Sequence, residues 1–484
     1  MRRFIRFAIA ILATFSAIVA DARMRLVGMG EGKDSIAFKE VVNCGLPVID
    51  IETINHEWPT AEYVKAPSGY AGKSIINPTK VPGRMVMLEG DQTLYDSGDY
   101  REDVSGMTIR IRGNSSAYAE KKPYKIHLEE KADLLRRNSP NFREKDWLLI
   151  RDEYLTTMQG FEVNRLLEMA WTPGYRYVNV VFNNEYRGVY LLVESVKRNN
   201  SCRLAVSKTG FIVEFDSYWW TADYYVRSIL RTTRHYTFKY PETFTNDDKA
   251  FIKQRLSDFE NAVLNGGDYG QWLDVESLAK WCLGQDIVAT SDAGGVNLFF
   301  TLNDREPGSL LTVPLMWDFD SSENYRDTWS RPHSVLMKTY FNNVNRDFVD
   351  AFVAAWQKYS YHIDLKMLAF FQNFYSSQQG TGYMNSIVLE NLRWNTEYEA
   401  AIIISDRGVW FLDRKVWLDK AIGKLNPRGD VNIDGIVDID DVNQLVNMMV
   451  RKVRPNLRVA DFNTDGVVDV DDMNVLLNIL VHKE

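Results

Sequence analysis

Two carboxylates separated by one residue follow an apolar run near the middle of the chain. Residues 313–320 read V-P-L-M-W-D-F-D, so Asp318 and Asp320 come directly after that run. If the backbone stays extended, residues two apart face the same side, and two oxygen ligands can then hold Mg²⁺ while it bridges substrate phosphates. The segment therefore predicts a short buried strand that ends in a magnesium site. The alternative is a surface turn with two solvated acids.

A second set of oxygen side chains recurs at the C-terminus with a period of 31 residues. Residues 430–441 and 461–472 both read D-x-N-x-D-G-x-V-D-x-D-D, and each precedes an apolar helical pattern. Oxygen side chains at positions 1, 3, 5, 9 and 12, a backbone carbonyl at position 7 and Gly at position 6 match a Ca²⁺ loop, although ordinary EF-hands end in Glu. Two acidic turns without metal are the alternative. Two calcium ions are expected, with the ligands Asp430, Asn432, Asp434, Ile436, Asp438 and Asp441 in one loop and Asp461, Asn463, Asp465, Val467, Asp469 and Asp472 in the other.

Length, charge and cysteine content limit the class of protein. The chain has 484 residues, of which 45% are hydrophobic, so two or three folded domains with a large core are expected. The net charge of −8 argues against nucleic-acid binding, because such surfaces are basic. Three cysteines, Cys44, Cys202 and Cys282, are too few for a disulfide framework and allow at most one intramolecular bridge.

The N-terminus has the pattern of a secretory signal peptide over residues 1–22. Three arginines lie within the first six residues, an apolar core follows, and Ala20-Asp21-Ala22 fits an A-x-A cleavage site. The core is short for a bilayer span, although an uncleaved anchor is the alternative. We therefore expect export to the periplasm, the cell surface or the medium, with no membrane span after signal removal.

Alternating hydrophobicity and polar turns predict mostly strands between about residues 46 and 128. Helical spacing predicts a helix over residues 153–170, and further strands are predicted in a hairpin over residues 177–193 and at residues 211–216. Residues 107–112 and 124–128 flank the polar turn Gly113-Asn114-Ser115-Ser116. A polar turn followed by a strand that bears Lys125 can cradle phosphates through backbone N–H groups, although an ordinary hairpin is the alternative.

The segments after Pro241 favour helices. Residues 247–264 and 275–290 show helical spacing. Residues 345–424 are mostly helical, with breaks expected near 379–380 and 407–408. Strands first and helices later predict an α+β fold.

Six short blocks occur in order through the centre of the chain. None is specific alone, but their number and order resemble the spore coat protein H (CotH) kinase family over about residues 45–325. The blocks are Arg110-Ile-Arg112-Gly-Asn-Ser-Ser116, Lys121-Lys-Pro-Tyr-Lys-Ile126, Asp146-Trp-Leu-Leu149, Arg187-Gly-Val-Tyr-Leu-Leu-Val-Glu194, Gly210-Phe-Ile-Val-Glu214 and Trp317-Asp-Phe-Asp320.

This resemblance implies an atypical protein-kinase-like fold that transfers phosphate from ATP to protein Ser. A strand-rich part would cover residues 23–110, and the kinase-like core with its C-terminal helices would cover residues 111–424. Asp318 would bind Mg²⁺ or Mn²⁺ with help from Asp320, and Asp292 would accept or orient the substrate hydroxyl proton.

The same resemblance assigns residues to the nucleotide. Arg112 and either Lys122 or Lys125 would contact the phosphates, and Glu194 would pair with that lysine. Sequence alternation does not decide between the two lysines. The family usually shows an Asn-x-Asp-like stretch at the proton-accepting position, where this chain has Thr290-Ser291-Asp292.

The duplicated loop–helix units resemble a type I dockerin over residues 426–484. The resemblance implies a small all-α domain with two EF-hand-like loops, which folds on Ca²⁺ and docks onto a cohesin in another protein. Asp440 and Asp471 occupy loop position 11, where dockerins carry residues that choose the cohesin. The identity of the cohesin is left open.

Two functions compete on this sequence. The first is an exported, dockerin-bearing kinase with an unknown protein Ser acceptor, although ATP is scarce outside the inner membrane. The second is a non-catalytic extracellular binding or structural module, for which 13 Trp, 24 Tyr and 24 Phe hint at glycan or protein contacts. A polysaccharide hydrolase is a weaker third, since no convincing acid/base carboxylate pair stands out. A nucleotide-binding measurement separates the first two.

Overall fold

The computed structural model describes most of the chain, and the predicted signal peptide, residues 1–22, lies outside the described residues. The described ranges are 25–70, 72–230, 234–265, 268–292, 298–323, 326–330, 346–425, 428–432, 437–463 and 465–482.

The first part of the chain is rich in strands. Its elements are β1 (Leu26–Val27), β2 (Ile36–Ala37), α1 (Phe38–Asn43), β3 (Val48–Thr53), β4 (Glu62–Lys65), β5 (Lys73–Ile76), β6 (Val81–Glu89), β7 (Gln92–Asp96), β8 (Met107–Ile111), β9 (Tyr124–Ala132), β10 (Glu144–Ile150), α2 (Thr156–Leu166), β11 (Tyr175–Phe182) and β12 (Glu185–Glu194).

The second part becomes progressively helical, which confirms the predicted α+β order. Its elements are β13 (Phe211–Asp216), β14 (Val226–Arg227), β15 (His235–Tyr240), α3 (Asn246–Leu264), α4 (Val275–Val288), β16 (Leu298–Leu302), β17 (Leu311–Thr312), α5 (Arg346–Tyr359), α6 (Ile363–Ser376), α7 (Gln378–Trp394), α8 (Ala400–Gly423), α9 (Ile439–Met449), α10 (Leu457–Ala460) and α11 (Val470–Val481).

Eight strands form one sheet, and seven of them close into a barrel, while β7 pairs with β6 beside the ring. The strand order is β3-β11-β12-β10-β9-β8-β6-β7, and β3 also pairs with β6, which completes the ring. Because side chains alternate along each strand, one set points inward, where fully buried residues such as Ile109, Trp147 and Leu192 fill the barrel. The other set faces outward.

A five-stranded antiparallel sheet, in the order β14-β15-β13-β16-β17, accompanies the barrel. The largest hydrophobic cluster joins the outer barrel residues Leu148 and Val193 to Phe215 and Phe300 of this sheet and to the helices after it. Barrel, second sheet and helices therefore share one continuous core.

Side chains fix where the helices of this core begin. The Asp152 carboxylate accepts hydrogen bonds from the backbone N–H groups of Thr157 (2.8 Å) and Met158 (3.1 Å) in the first turn of α2. Asp274 does the same for Ser277 in α4. Such capping satisfies helix N–H groups that have no partner within the helix.

A buried lysine ties the barrel to the late helix α7. Lys121 precedes β9, and its Nζ atom lies 2.8 Å from Glu153, 2.6 Å from Glu390 and 2.7 Å from the carbonyl oxygen of Val189. Lys121 and Glu390 are 5% and 1% exposed. Because a buried charge left alone is costly, this group holds the three segments together.

The C-terminal repeat has its own small core. Val431, Leu445, Val468 and Leu476 pack between α9 and α11. The Asn456 side chain also hydrogen-bonds Asp350 of α5 at 3.3 Å.

Three predictions about elements need correction. Residues 313–317 are buried, but residues 313–319 form no strand, since the strand there is only β17, and Asp318 has a left-handed φ of 65°. The break predicted near 407–408 is absent, because Gly408 lies inside α8, where a Cβ would come within 3.0 Å of Leu368. The division predicted at residues 110 and 111 crosses the barrel, because β8 and β9 are neighbours in it.

Candidate functional site

The D-F-D segment is anchored to α2 rather than to a neighbouring strand. The Asn164 side-chain amide accepts from the backbone N–H of Met316 (2.9 Å) and donates to its carbonyl oxygen (3.3 Å). The Phe319 ring is buried against Gly160, where any Cβ would collide with it. Asp318 and Asp320, on either side of that ring, are exposed. The predicted pair of carboxylates thus remains accessible while the residue between them is fixed in the core.

Asp292 lies beside this segment. The Thr290 and Ser321 hydroxyl groups are 2.9 Å apart, and the backbone N–H of Ser291 donates to the carbonyl oxygen of Ser321 at 3.1 Å. Burial raises the pKa of the Asp292 carboxyl, repulsion from Asp320 raises it further, and Arg234 opposes both. The structure therefore brings Asp292 and the D-F-D acids together, although they are far apart in sequence.

Arg112 reaches the same place from the barrel. It follows β8 and is half-buried. Burial lowers the pKa of its guanidinium, while the negative charges of Asp318 and Glu214 oppose that shift. Arg112 therefore lies between the D-F-D segment and the second sheet.

Glu214, Asp216 and Lys239 complete the arrangement and were missed in the sequence analysis. Glu214 pairs with Thr237 across β13 and β15, so Glu214, Asp216 and Lys239 share one face of the second sheet. The Lys239 Nζ atom lies 2.5 Å from Glu214. Burial and repulsion from Glu214 raise the pKa of Asp216 to about 6, against the opposing charge of Lys239. The alternating acids of F-I-V-E-F-D were a signal that could have found this face.

We call these residues the charged cluster. Among the described residues it holds five carboxylates and three basic groups: Glu214, Asp216, Asp292, Asp318 and Asp320 with Arg112, Arg234 and Lys239. The acids outnumber the bases, and carboxylate oxygens are the ligands that Mg²⁺ takes; a metal ion held by Asp318 and Asp320 stays a prediction.

Two predicted lysines lie outside the charged cluster. Lys122 donates to the carbonyl oxygens of Ala117 (2.9 Å) and Ala119 (3.1 Å). Lys125 lies 3.1 Å from Asp146, which Lys197 also approaches to 2.7 Å. Both ammonium groups are therefore already engaged.

The predicted pairing of Glu194 with one of these lysines is wrong. Glu194 lies opposite Trp147 on the barrel's inner side, whereas Lys125 lies opposite Leu148 on the outer side. Glu194 instead pairs with Arg203 and with Arg137 at 2.6 Å.

The last acid of each repeated loop is buried and already bonded. Asp441 accepts from the backbone N–H groups of Asn432 (2.9 Å) and Asp438 (2.7 Å), and Asp472 accepts from Phe462 and Asp469. The predicted ligands Asp434 and Ile436 lie outside the described residues.

The remaining predicted ligands are Asp430, Asn432 and Asp438 in the first loop and Asp461, Asn463, Asp465, Val467 and Asp469 in the second. Asp461 accepts from the backbone N–H groups of Asp465 (3.1 Å) and Gly466 (2.8 Å). Within the described ranges, no group of three or more His, Cys, Asp and Glu side chains is arranged to hold a metal ion. The two calcium sites remain a prediction.

The described chain also has two pockets away from the charged cluster and three buried cysteines. Pockets of about 540 and 560 Å³ lie elsewhere, the first between α2 and α6 and the second on a polar surface of the barrel. The three cysteines are buried and form no disulfide. No described helix has the length and apolar character needed to cross a membrane.

Comparison with known families bears on this region. A family model described as CotH kinase protein matches residues 109–347. It confirms the predicted resemblance in part, and it supports a kinase-like function at the level of the family. No dockerin domain was detected. A search of the curated proteins gave no match.

Proposed function

We propose that this chain transfers phosphate from ATP to a Ser hydroxyl of another protein, with Mg²⁺ or Mn²⁺. The observation that carries the proposal is the convergence of Asp292, Asp318, Asp320 and Arg112 from three distant segments within the matched range. Phosphoryl transfer needs mainly positioning and charge neutralisation, and these residue types supply both.

Each residue has a role that fits its surroundings. Asp318 and Asp320 would hold the metal ion, which neutralises phosphate charge when bound. Arg112 would contact the phosphates. Asp292, whose pKa is raised by burial and by Asp320, would accept or orient the proton of the acceptor hydroxyl.

A sequence signal adds a further metal ligand to this proposal. Asn297 follows Asp292 by five residues, which is the D-x-x-x-x-N spacing of protein kinase catalytic loops, where the Asn binds a second metal ion. Asn297 lies outside the described residues. The chain therefore has an Asn on the C-terminal side of Asp292, although it lacks the Asn expected before Asp292.

The C-terminal repeat would attach the enzyme to a cohesin-bearing partner after export. Exposed apolar residues recur on α9 and α11 with the 31-residue period of the loops. The pairs are Ile439 with Val470, Val446 with Leu477, and Val450 with Val481. An apolar stripe repeated in this way suits a protein partner rather than solvent.

The test is nucleotide binding by the purified full chain. We expect calorimetry in the presence of Mg²⁺ or Mn²⁺ to detect ATP binding. We also expect γ-labelled ATP to transfer its label to the chain itself or to a Ser-rich acceptor. If no binding occurs at millimolar ATP, the kinase proposal fails. The non-catalytic extracellular module, with glycan or protein ligands, then becomes the better function.

A further inference from the structure

The second sheet, not the barrel, carries the lysine best placed for the nucleotide. Resting on the proposed kinase function, we infer that Lys239, held by Glu214, is the ammonium group that binds the nucleotide phosphates. Sequence reasoning gave this role to Lys122 or Lys125, with Glu194 as the partner acid.

The pair is built by strand register. Glu214 lies opposite Thr237, so Lys239, two residues further along β15, extends from the same face toward Glu214. The two side chains meet at 2.5 Å. The Glu214 side chain is 12% exposed and the Lys239 side chain is 40% exposed, so the acid is largely enclosed while the lysine side chain is partly open to solvent. An ammonium group has three donors, of which this acid occupies one.

The neighbours of the pair are those that a bound phosphate needs. Glu214 lies close to both Arg112 and Lys239, whose charges also repel each other. Arg112 in turn lies beside Asp318. Arg112 and Lys239, two cations near one acid, would contact phosphate oxygens, and Asp318 nearby would hold a metal ion that neutralises phosphate charge when bound.

The alternative lysines are occupied by protein groups. Lys121 is enclosed by Glu153 and Glu390, and Lys122 caps backbone carbonyls of its own turn. Lys125 is paired with Asp146. The partners of these lysines, which are Glu153, Glu390, Asp146 and backbone carbonyls, lie outside the charged cluster, whereas Lys239 is paired with Glu214 within it.

The test compares MgATP with adenosine in calorimetry of the full chain. Lys239→Ala should weaken MgATP binding about tenfold or more, because a charge-assisted contact is lost, and should leave adenosine binding within about twofold. Lys239→Arg should restore most of the MgATP affinity. Glu214→Gln should weaken it less, and the double variant Glu214→Gln/Lys239→Ala should be little worse than Lys239→Ala alone. Lys253→Ala, exposed on α3, is the matched control.

The outcomes separate this inference from the kinase proposal. Wild-type protein that binds no MgATP overturns both. Wild-type binding with an unaffected Lys239→Ala overturns only the assignment of Lys239, as does an equal loss of adenosine, which would indicate a structural role. A loss with Lys125→Ala in place of Lys239→Ala would return the role to the barrel.

Discussion

The charged cluster draws its side chains from separate stretches of the chain, whereas each loop of the C-terminal repeat takes its predicted ligands from twelve consecutive residues. Arg112, Glu214, Lys239, Asp292 and Asp318 meet only because the barrel, the second sheet and α2 share one hydrophobic core. The repeat has a small core of its own. The difference predicts that the cluster is organised by folding alone and that the repeat is organised by its metal.

The largest expected effect is a loss of phosphoryl transfer without a loss of stability. Asp318→Asn should lower phosphoryl transfer on the order of a thousandfold, because the metal loses a charged ligand, while the unfolding of both regions stays unchanged. Labelled-ATP transfer and thermal unfolding measure the two effects. Asp406→Asn, exposed on α8, is the control, and equal losses in both variants would contradict the role of Asp318.

Calcium removal should act on the repeat alone. With Ca²⁺ at about a thousand times its dissociation constant, binding stabilises the repeat by about 4 kcal/mol, and EGTA should remove that stabilisation. Circular dichroism should then show helix lost from α9 and α11 and regained on adding Ca²⁺. Asp461→Ala should halve the response or abolish it. If the repeat keeps its helices in EGTA, it is organised by folding alone, as the charged cluster is, and the contrast between the two regions fails.

A single methyl group on α2 should disturb the charged cluster without touching its charges. Gly160→Ala would force the Phe319 ring out of place and cost about 1 to 3 kcal/mol of unfolding free energy, although Ala normally favours helices. Activity should fall together with stability, because Asp318 and Asp320 flank that ring. The control is Gly423→Ala in α8, where an added Cβ meets nothing within 4 Å. Full activity in Gly160→Ala would show that the packing of Phe319 does not determine the positions of Asp318 and Asp320.

The smallest effect depends on pH. In the folded chain the pKa of Asp216 is raised to about 6 from the ordinary 3.8, mainly by burial and Glu214. Ionised Asp216 therefore destabilises the fold above about pH 6, and this cost disappears as the pH falls below 3.8. Asp216→Asn should add about 1 to 2 kcal/mol to the free energy of urea unfolding at pH 8 and little at pH 4.

The control for Asp216→Asn is the same substitution at an aspartate that is exposed to solvent. Asp223→Asn, at an exposed position, should give the same small change at both pH values. If Asp216→Asn shows no more pH dependence than Asp223→Asn, burial and repulsion from Glu214 do not raise the pKa of Asp216 enough to affect stability.

The sequence predicted the acids of the charged cluster better than its bases. Asp318 and Asp292 stand at the ends of apolar segments, which is a local pattern. The partner of Lys239 depends on the register between β13 and β15, which no local pattern contains. Glu194 was assigned to the wrong side of the barrel because a strand's alternation is visible in sequence while its inner face is not.

The fold was predicted only in outline, because local sequence patterns show the elements but not how distant strands pair. The order of strands and helices follows from periodicity, but closure of the barrel depends on the pairing of β3 with β6, across residues far apart in sequence. The strand predicted over 313–320 failed because the amide of Asn164, not a neighbouring strand, bonds the backbone of Met316.

The ion group around Lys121 has a practical consequence for cutting the chain. The family match ends at residue 347, yet Glu390, which neutralises Lys121, belongs to α7, and β3 and β6 precede the match. A fragment trimmed to the matched residues would keep Glu153 beside the Lys121 ammonium but lose Glu390, and it would leave the barrel open because β3 and β6 are missing. The smallest piece able to fold by itself therefore extends well beyond the matched range at both ends.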